Sequence, residues 1–152
     1  MVSPFYKARN GRPVRVMLVD DNPDDRLLVK EAFADTEGLE LAVVVEDGAS
    51  ALACLRREGQ YQSERRPDLV LLDINIPAMS GFEVLDVVKA DPELQHIPIA
   101  MFTSSDSDGD VRRSYSHGAC SYIAKPLGFT DYLHMAATLR DYWAGVSLTP
   151  IG

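Results

Sequence analysis

Five polar residues occupy equivalent positions in the sequence, because each follows a short apolar run at its carboxyl end. These residues are Asp20 and Asp21, Asp73, Thr103 and Lys125. If the runs are strands of one parallel sheet, their carboxyl ends meet at one edge, where such sheets bind ligands. Three carboxylates at that edge would repel one another, and one would take up a proton unless a cation lay between them. The pattern therefore predicts a cation site.

Mg²⁺ is the cation that suits these oxygen ligands, because proteins usually hold it with one or two carboxylates, waters and a phosphoryl oxygen. Asn75 lies two residues after Asp73, where its main-chain carbonyl could supply a further oxygen. A calcium-binding loop would need spaced acidic residues that end in a bidentate Glu, and the sequence lacks this pattern. Zinc would require His or Cys ligands, but the histidines do not cluster with the cysteines.

A carboxylate beside Mg²⁺, with an ammonium and a hydroxyl opposite, is suited to covalent aspartyl-phosphate chemistry. Asp73 would accept the phosphoryl group, whose three equatorial oxygens need positive or hydrogen-bonding partners. Mg²⁺ on the paired aspartates, the Lys125 ammonium and the Thr103 hydroxyl with a nearby N–H would supply those partners. No residue obviously positions a hydrolytic water, so we expect a long-lived phosphorylated state, as a switch requires.

The chain alternates between elements that would bring these residues together. Continuous apolar runs, typical of parallel strands covered on both faces, occupy residues 14–19, 39–45, 69–72, 99–102 and 121–124. Helices are predicted from residue 23 after an Asn22 cap, at 48–57, at 81–90, between 106 and 117, and at 130–143 with Thr130 as its cap. This alternation predicts an α/β fold with one parallel sheet and right-handed crossovers.

Composition excludes several classes of function. The 152 residues fit one domain and carry a formal net charge of −8, which argues against direct binding of nucleic acid. No apolar run reaches the roughly 18 residues of a membrane span. The basic N-terminus is not followed by an apolar segment, so we expect a cytoplasmic protein with no membrane or secretory signal. Cys54 and Cys120 lie in apolar runs and are expected to be buried free thiols.

Four blocks of the sequence resemble, in order, the receiver domain of two-component response regulators: VMLVDDNPDD, PDLVLLDINIPAMSGFEVL, IPIAMFTSS and GACSYIAKP. The resemblance covers residues 14–143 and implies a flavodoxin-like (βα)5 fold, a doubly wound parallel sheet with strand order 2-1-3-4-5. We therefore expect an N-terminal arm at 1–12, a receiver domain at 13–145 and a C-terminal tail at 146–152, with no output domain.

The resemblance also implies a role for each site residue. Asp73 corresponds to the phosphoacceptor of the family. Asp20 and Asp21 correspond to the acidic pair that binds Mg²⁺. Asn75 corresponds to the residue whose main-chain carbonyl binds the metal, and Lys125 to the phosphate-binding lysine.

Thr103 and Tyr122 correspond to the hydroxyl and aromatic pair of the family's conformational switch. Phosphate on Asp73 would draw the Thr103 hydroxyl inward, and Tyr122 would rotate into the vacated space. This movement would rearrange the face formed by the fourth helix, the fifth strand and the fifth helix. Lys125–Pro126 corresponds to a peptide bond that is typically cis in receivers.

Further segments resemble the small stand-alone regulators of bacterial phytochrome histidine kinases: RREGQY, VKADPELQHIPI, RRSYSHGACSYIAKP and a helix that ends in DYW. They imply a single-domain regulator that a sensor histidine kinase of phytochrome type phosphorylates. Its output would be partner binding or a homodimer, through the switched face or the C-terminal helix. Tyr142 and Trp143 would either pack in the core or form a dimer face with Tyr132 and Leu133.

Two alternatives remain open from the residues alone. A receiver-like domain could serve as a protein-interaction platform without being phosphorylated, because site residues do not by themselves prove the reaction. An aspartyl-phosphate phosphohydrolase of the haloacid-dehalogenase type would need a second acid as general acid/base, which Asp73-Ile74-Asn75 lacks. A receiver is a phosphoacceptor rather than an enzyme, with at most slow autophosphorylation from small donors and slow autodephosphorylation.

Overall fold

The computed structural model describes residues 12–146. The strands are β1 (Val14–Val19), β2 (Leu39–Val45), β3 (Leu69–Leu72), β4 (Ile99–Thr103) and β5 (Ser121–Ala124). The helices are α1 (Pro23–Ala34), α2 (Gly48–Leu55), α3 (Gly81–Ala90), α4 (Asp108–Ser116) and α5 (Phe129–Asp141). A 3₁₀ turn (Gly59–Tyr61) precedes β3, and a π-helical turn (Tyr142–Val146) follows α5. The predicted arm at 1–12 and tail at 146–152 fall almost wholly outside the described residues.

The strands form one parallel sheet in the order β2-β1-β3-β4-β5, as the sequence predicts. The predicted limits of the strands are confirmed, except that β4 extends one residue further, to Thr103. β1 pairs with both β2 and β3, and Val19 lies beside Leu72 in this register. The residues that follow these two strands, Asp20 and Asp73, are therefore neighbours at the carboxyl edge of the sheet.

Helices cover both faces of the sheet and create two apolar clusters. On one face, side chains of α2 and α3 such as Leu55 and Leu85 pack against Met17 and Leu72. On the other face, α1 and α5 pack against the sheet, with Tyr132 among the largest buried side chains. Burial of a large apolar side chain stabilises the fold by roughly 1.5–3 kcal/mol. The central strands β1, β3 and β4 are consequently buried along almost their whole length, which fixes the edge where the site lies.

Local capping explains where α1 and α3 begin. The Asn22 side chain accepts hydrogen bonds from the backbone N–H groups of Asp24 and Asp25, at 2.9 and 3.1 Å, and so caps α1 as predicted. At α3, Ser80 and Glu83 form a reciprocal capping box, which satisfies two backbone N–H groups. α1 therefore starts close to the end of β1 in sequence, whereas α3 is brought to the end of β3 by the hydrogen bond from the Gly81 N–H to the Ile74 carbonyl.

The predicted limits of α2 and α5 need correction. The predicted Thr130 cap is wrong: Gly128 is the N-cap residue and makes no side-chain capping bond, so Thr130 lies within α5. α2 ends at Leu55 rather than at residue 57, because Arg57 has a positive φ of 57° that is incompatible with a continuing helix. α5 also ends at Asp141 rather than at residue 143, whereas α4 lies between residues 106 and 117 as predicted.

Three other expectations are settled by burial and backbone geometry. Cys54 is a buried free thiol as expected, whereas Cys120 is exposed. Tyr132 is completely buried in the core, so it cannot belong to a dimer face, while the Tyr142 side chain is half exposed. All peptide bonds in the described part of the chain are trans, including Lys125–Pro126. No helix within residues 12–146 is long and apolar enough to cross a membrane.

Candidate functional site

Asp20 and Asp21 follow β1 and differ sharply in exposure. The backbone N–H of Asp20 continues the sheet pairing by donating to the Val45 carbonyl at 3.0 Å, and the residue is completely buried. Its Oδ1 accepts the backbone N–H of Asn22 at 2.9 Å. Asp21 lies in the turn between β1 and the Asn22 cap and is exposed. The pair thus presents one buried and one solvent-facing carboxylate.

Asp73 follows β3 and is almost completely buried. Its backbone N–H donates to the Val19 carbonyl at 3.0 Å, and its Oδ1 accepts the backbone N–H of Asn75 at 3.4 Å. Behind it, the N–H of Gly81 donates to the Ile74 carbonyl at 2.8 Å, which brings the first residue of α3 against the Asp73 backbone. The Asp73 side chain is therefore positioned by backbone contacts on both sides.

Lys125 follows β5 and reaches across the edge of the sheet to the carboxylates. Its backbone N–H donates to the Thr103 carbonyl at 2.8 Å, which anchors it to the end of β4. Its Nζ donates to Oδ2 of Asp73 and to Oδ2 of Asp25, both at 2.7 Å, and lies 2.9 Å from Oδ2 of Asp20. Burial alone would lower the pKa of this ammonium, but the surrounding carboxylates outweigh burial and raise it.

The three predicted metal-binding carboxylates do come together. Each of Asp20, Asp21 and Asp73 offers one carboxylate oxygen, and these three oxygens lie within 4.8 Å of one another. Burial raises the pKa of Asp20. Its buried Oδ2 lies 2.9 Å from the Lys125 ammonium but is not aligned to form a hydrogen bond. A buried oxygen that lacks a hydrogen bond, among hard oxygen donors, is the environment that a divalent cation completes. The residues present therefore fit such a cation.

Thr103 ends β4 and Tyr122 lies in the adjacent strand β5, and both approach the same loop. Thr103 is completely buried, and its Oγ1 lies 3.5 Å from the backbone N–H of Ser105. Tyr122 is partly buried and packs against the apolar cluster formed with α2 and α3. Its hydroxyl donates to the Ser105 carbonyl at 2.6 Å. Both residues of the predicted switch thus contact the loop that leads from β4 to α4.

Asp25, which shares the Lys125 ammonium with Asp73, is absent from the set of site residues that the sequence predicts. In the sequence it is only one of two acidic residues in the first turn of a helix. Helix geometry could have revealed its position, because side chains of a helix tilt towards its N-terminus. The third residue of α1 therefore directs its carboxylate back towards the edge of the sheet. Asn75 is exposed in the loop after β3, two residues from Asp73.

The strand order, with an acidic edge and a lysine from the last strand, defines a receiver-type signalling domain. The chain matches the response regulator receiver domain model over residues 16–137, and it belongs to this family. Receiver domains bind divalent metal at an acidic pocket of this kind. They are signalling proteins rather than conventional enzymes.

Among its relatives is response regulator Rcp1 of Synechocystis, 33% identical over 131 residues, which are 86% of this chain and 89% of Rcp1. Among solved structures, the phosphorylated cyanobacterial phytochrome response regulator RcpA is 35% identical, with a TM-score of 0.82 over 91% of this chain and 99% of that one. The Mn²⁺-bound form of Rcp1 is 32% identical, with a TM-score of 0.79 over 91% of this chain and 100% of that one. The chain is thus related to phytochrome response regulators.

Proposed function

We propose that this protein accepts a phosphoryl group on Asp73 from a sensor histidine kinase and acts as a switch. The main support is the arrangement of charge around Asp73. The Lys125 ammonium lies 2.7 Å from its Oδ2, and a neighbouring buried oxygen of Asp20 makes no hydrogen bond. The ammonium therefore lies where it can hold an oxygen of an incoming phosphoryl group. The reaction would form an O–P bond at Asp73 and break the P–N bond of a phosphohistidine, whose imidazole leaves.

The proposed metal is Mg²⁺, held by Asp20, Asp21 and Asp73, with the main-chain carbonyl of Asn75 as a further oxygen. When bound, it would take one phosphoryl oxygen and offset the negative charge of the carboxylates. The relative Rcp1 has been crystallised in a Mn²⁺-bound form, which supports a divalent metal in this family. The paired acidic residues here supply oxygen ligands of the hardness that Mg²⁺ requires.

Lys125 and Thr103 would hold the transferred group. The Lys125 ammonium would donate to one phosphoryl oxygen, because it already lies beside Oδ2 of Asp73. The Thr103 hydroxyl would donate to another after leaving the Ser105 N–H, from which it is 3.5 Å away. Charge-assisted hydrogen bonds of this kind are the stronger class in proteins.

The proposed output is a rearrangement of the face formed by α4, β5 and α5. Tyr122 now donates its hydroxyl to the Ser105 carbonyl, in the same loop that Thr103 approaches. A movement of Thr103 towards the phosphoryl group would shift this loop and release Tyr122 to rotate. The altered face would then bind a partner protein or a second copy of the chain.

We propose a phytochrome-type histidine kinase as phosphodonor and the cytoplasm as the location. The relatives Rcp1 and RcpA support this donor, because the latter is a phytochrome response regulator. The net charge of −8 supports a protein partner rather than nucleic acid. We also propose the domain limits of 13–145 for the receiver, within which the family model matches 16–137.

The decisive experiment is the intact mass after incubation with Mg²⁺ and acetyl phosphate, with the Asp73→Asn variant in parallel. We expect a hydroxylamine-labile gain of one phosphoryl group, about 80 Da from its formula, on the wild type only. Circular dichroism should give the same spectrum for both proteins. An equal gain on Asp73→Asn would contradict the assignment of the acceptor, and no gain even with an autophosphorylated phytochrome kinase would favour a phosphorylation-independent interaction platform.

The two finer parts of the proposal have separate tests. Size-exclusion chromatography of the phosphorylated and unmodified proteins measures whether phosphorylation forms a dimer. Phosphotransfer from a phytochrome kinase, compared at equal concentration with a histidine kinase that lacks a photoreceptor, measures donor preference. Equal transfer rates from both kinases would argue against a phytochrome partner, while leaving the acceptor chemistry intact.

A further inference from the structure

The fourth helix contributes almost nothing to the apolar core. None of residues 108–116, all of which the structure describes, belongs to the two apolar clusters on the faces of the sheet. Ser114 is the only buried residue among the nine of α4, whereas α3 buries five of its ten. A helix with so little apolar burial gains little from the hydrophobic effect, so its position depends on its polar contacts.

The two ends of α4 are held by different neighbours. At the C-terminal end, the His117 ring contacts the Asp86 carboxylate of α3 and packs against the Phe82 ring of the same helix, with centroids 5.7 Å apart. At the N-terminal end, Oδ2 of Asp110 accepts the Ser105 hydroxyl at 2.6 Å. One end of α4 is therefore bound to α3, and the other end is bound to the loop that follows β4.

Ser105 connects the N-terminal end of α4 to both residues of the proposed switch. Its backbone N–H lies 3.5 Å from the Thr103 Oγ1, and its carbonyl accepts the Tyr122 hydroxyl at 2.6 Å. Its own hydroxyl donates to Asp110 and accepts the backbone N–H of Ser107 at 3.4 Å. The backbone of Ser105 thus contacts the switch residues, while its side chain contacts the start of the helix.

We propose that the hydrogen bond from Ser105 to Asp110 couples α4 to the switch, so that the start of α4 moves with the loop and the helix tilts about its contacts with α3. This inference rests on the proposed phosphorylation of Asp73, and it names the route by which that reaction would reach α4. Asp110 is a positioning residue, because it acts through Ser105. Tyr122 and β5 would respond by a separate route, through the Ser105 carbonyl.

The chemistry of this bond suits a coupling role. A hydroxyl that donates to a carboxylate forms a hydrogen bond of the stronger, charge-assisted class. The Asp110 carbonyl also accepts the buried Ser114 hydroxyl at 2.7 Å, so a displacement of Asp110 extends to the next turn of the helix. Ser107 is the N-cap of α4 and accepts the Asp110 N–H at 3.1 Å. Loss of the Ser107 hydroxyl would therefore weaken the helix without breaking the bond between Ser105 and Asp110.

The test measures hydrogen exchange of the full chain in Mg²⁺, before and after addition of beryllofluoride, which imitates a phosphoryl group on the acceptor carboxylate. In the wild type we expect beryllofluoride to change the exchange rates of residues 106–112 and of residues 121–124. In Ser105→Ala and in Asp110→Ala, the change in residues 106–112 should fall by about fivefold or more, the lower end of the usual coupling between sites. The change in residues 121–124 should remain, because both variants keep the Ser105 carbonyl.

Two matched variants separate this coupling from the stability of the helix alone. Ser107→Ala removes the N-cap, so it should speed exchange in α4 by about fivefold with and without beryllofluoride, while the change on binding stays as in the wild type. Asp110→Asn keeps an oxygen acceptor for the Ser105 hydroxyl and should restore the response that Asp110→Ala loses. If Asp110→Ala leaves α4 unprotected even without beryllofluoride, Ser105→Ala decides the question, since it alters no residue of the helix.

Several results would overturn the inference. One is a wild-type change in residues 106–112 of Ser105→Ala, because the switch would then move α4 without this bond. Another is an equal loss of the change in Ser107→Ala, because both serines would then act only as caps. A third is failure of Asp110→Asn to restore the response. Failure of the wild type itself to bind beryllofluoride or to gain a phosphoryl group would instead refute the proposed function.

Discussion

Gly81 offers a direct test of how tightly the backbone positions the acceptor. A Cβ at this residue would lie 2.3 Å from the carbonyl oxygen of Asp73 and 2.9 Å from the Cα of Ile74. Close C–H···O contacts between backbones have C···O distances of about 3.3–3.6 Å. The backbone at Asp73 would therefore have to move by about 1 Å to admit an alanine. Because both atoms belong to the backbone, no side-chain rotation can relieve the contact.

We expect Gly81→Ala to lower the free energy of unfolding by about 1–3 kcal/mol, the usual effect of overpacking. The displaced acceptor should slow phosphorylation by acetyl phosphate by about 100-fold, as expected for a misplacement of 1 Å. Urea unfolding measures the first quantity, and the initial rate of mass gain in Mg²⁺ measures the second.

Gly109→Ala is the matched control for this experiment. Gly109 lies in the first turn of α4, and a Cβ there would meet no atom within 4 Å. Because alanine is the better helix former, its substitution should raise stability by at most about 1 kcal/mol and leave the phosphorylation rate unchanged. If Gly81→Ala matched the wild type in both stability and rate, the contact with Asp73 would have no consequence and the reasoning would be refuted.

Three further predictions concern charge in and around the site. Asp21→Ala should lower Mg²⁺ affinity, measured by calorimetry, by about tenfold or more, while Asp24→Ala should leave it unchanged. If Asp21→Ala bound Mg²⁺ as tightly as the wild type, Asp21 would not belong to the metal site. Lys125→Ala should abolish the change in hydrogen exchange of α4 and α5 on phosphorylation. It should retain or raise Mg²⁺ affinity, since the ammonium no longer competes for the carboxylates. Parallel loss of the exchange response and of Mg²⁺ affinity would contradict the phosphate role of Lys125. The pKa of Tyr132 is raised from 10 to about 12, so the unfolded chain loses this proton first and stability falls as pH rises between these values. Between pH 9 and pH 11 the free energy of unfolding of Tyr132→Phe, measured in urea, should therefore rise by about 1 kcal/mol relative to that of the wild type. If this difference in stability stayed constant with pH, Tyr132 would ionise normally.

The sheet can be predicted closely from the sequence because each strand is a continuous apolar run and a polar residue marks most of the carboxyl ends. The runs at β1 and β3 are followed by aspartates, which interrupt the apolar pattern, so Val19 and Leu72 are predicted as the last strand residues. The strand order follows from the family resemblance. Thr103 falls outside the predicted β4 because a hydroxyl interrupts an apolar run, although its backbone continues the pairing with Ala124.

Helix ends and the full set of partners of Lys125 are harder to predict. α5 begins after Gly128 without a side-chain cap, so no polar residue marks its start, and the nearby Thr130 resembles a cap without being one. Asp25 contacts a lysine that is 100 residues away in sequence, and only the three-dimensional arrangement of α1 and β5 brings them together. Local patterns predict elements and edges of sheets, whereas contacts between distant side chains depend on tertiary packing.

The long sequence separations at Lys125 also have a consequence for folding. Its hydrogen bonds to Asp73 and Asp25 close loops of 52 and 100 residues. Contacts of such high contact order form late, because the entropy of loop closure opposes them until other contacts are made. A nascent chain has made every carboxylate of the site before β5 emerges, but not their cation. Docking of β5 against β4 therefore both completes the sheet and brings the Lys125 ammonium to the carboxylates of the site.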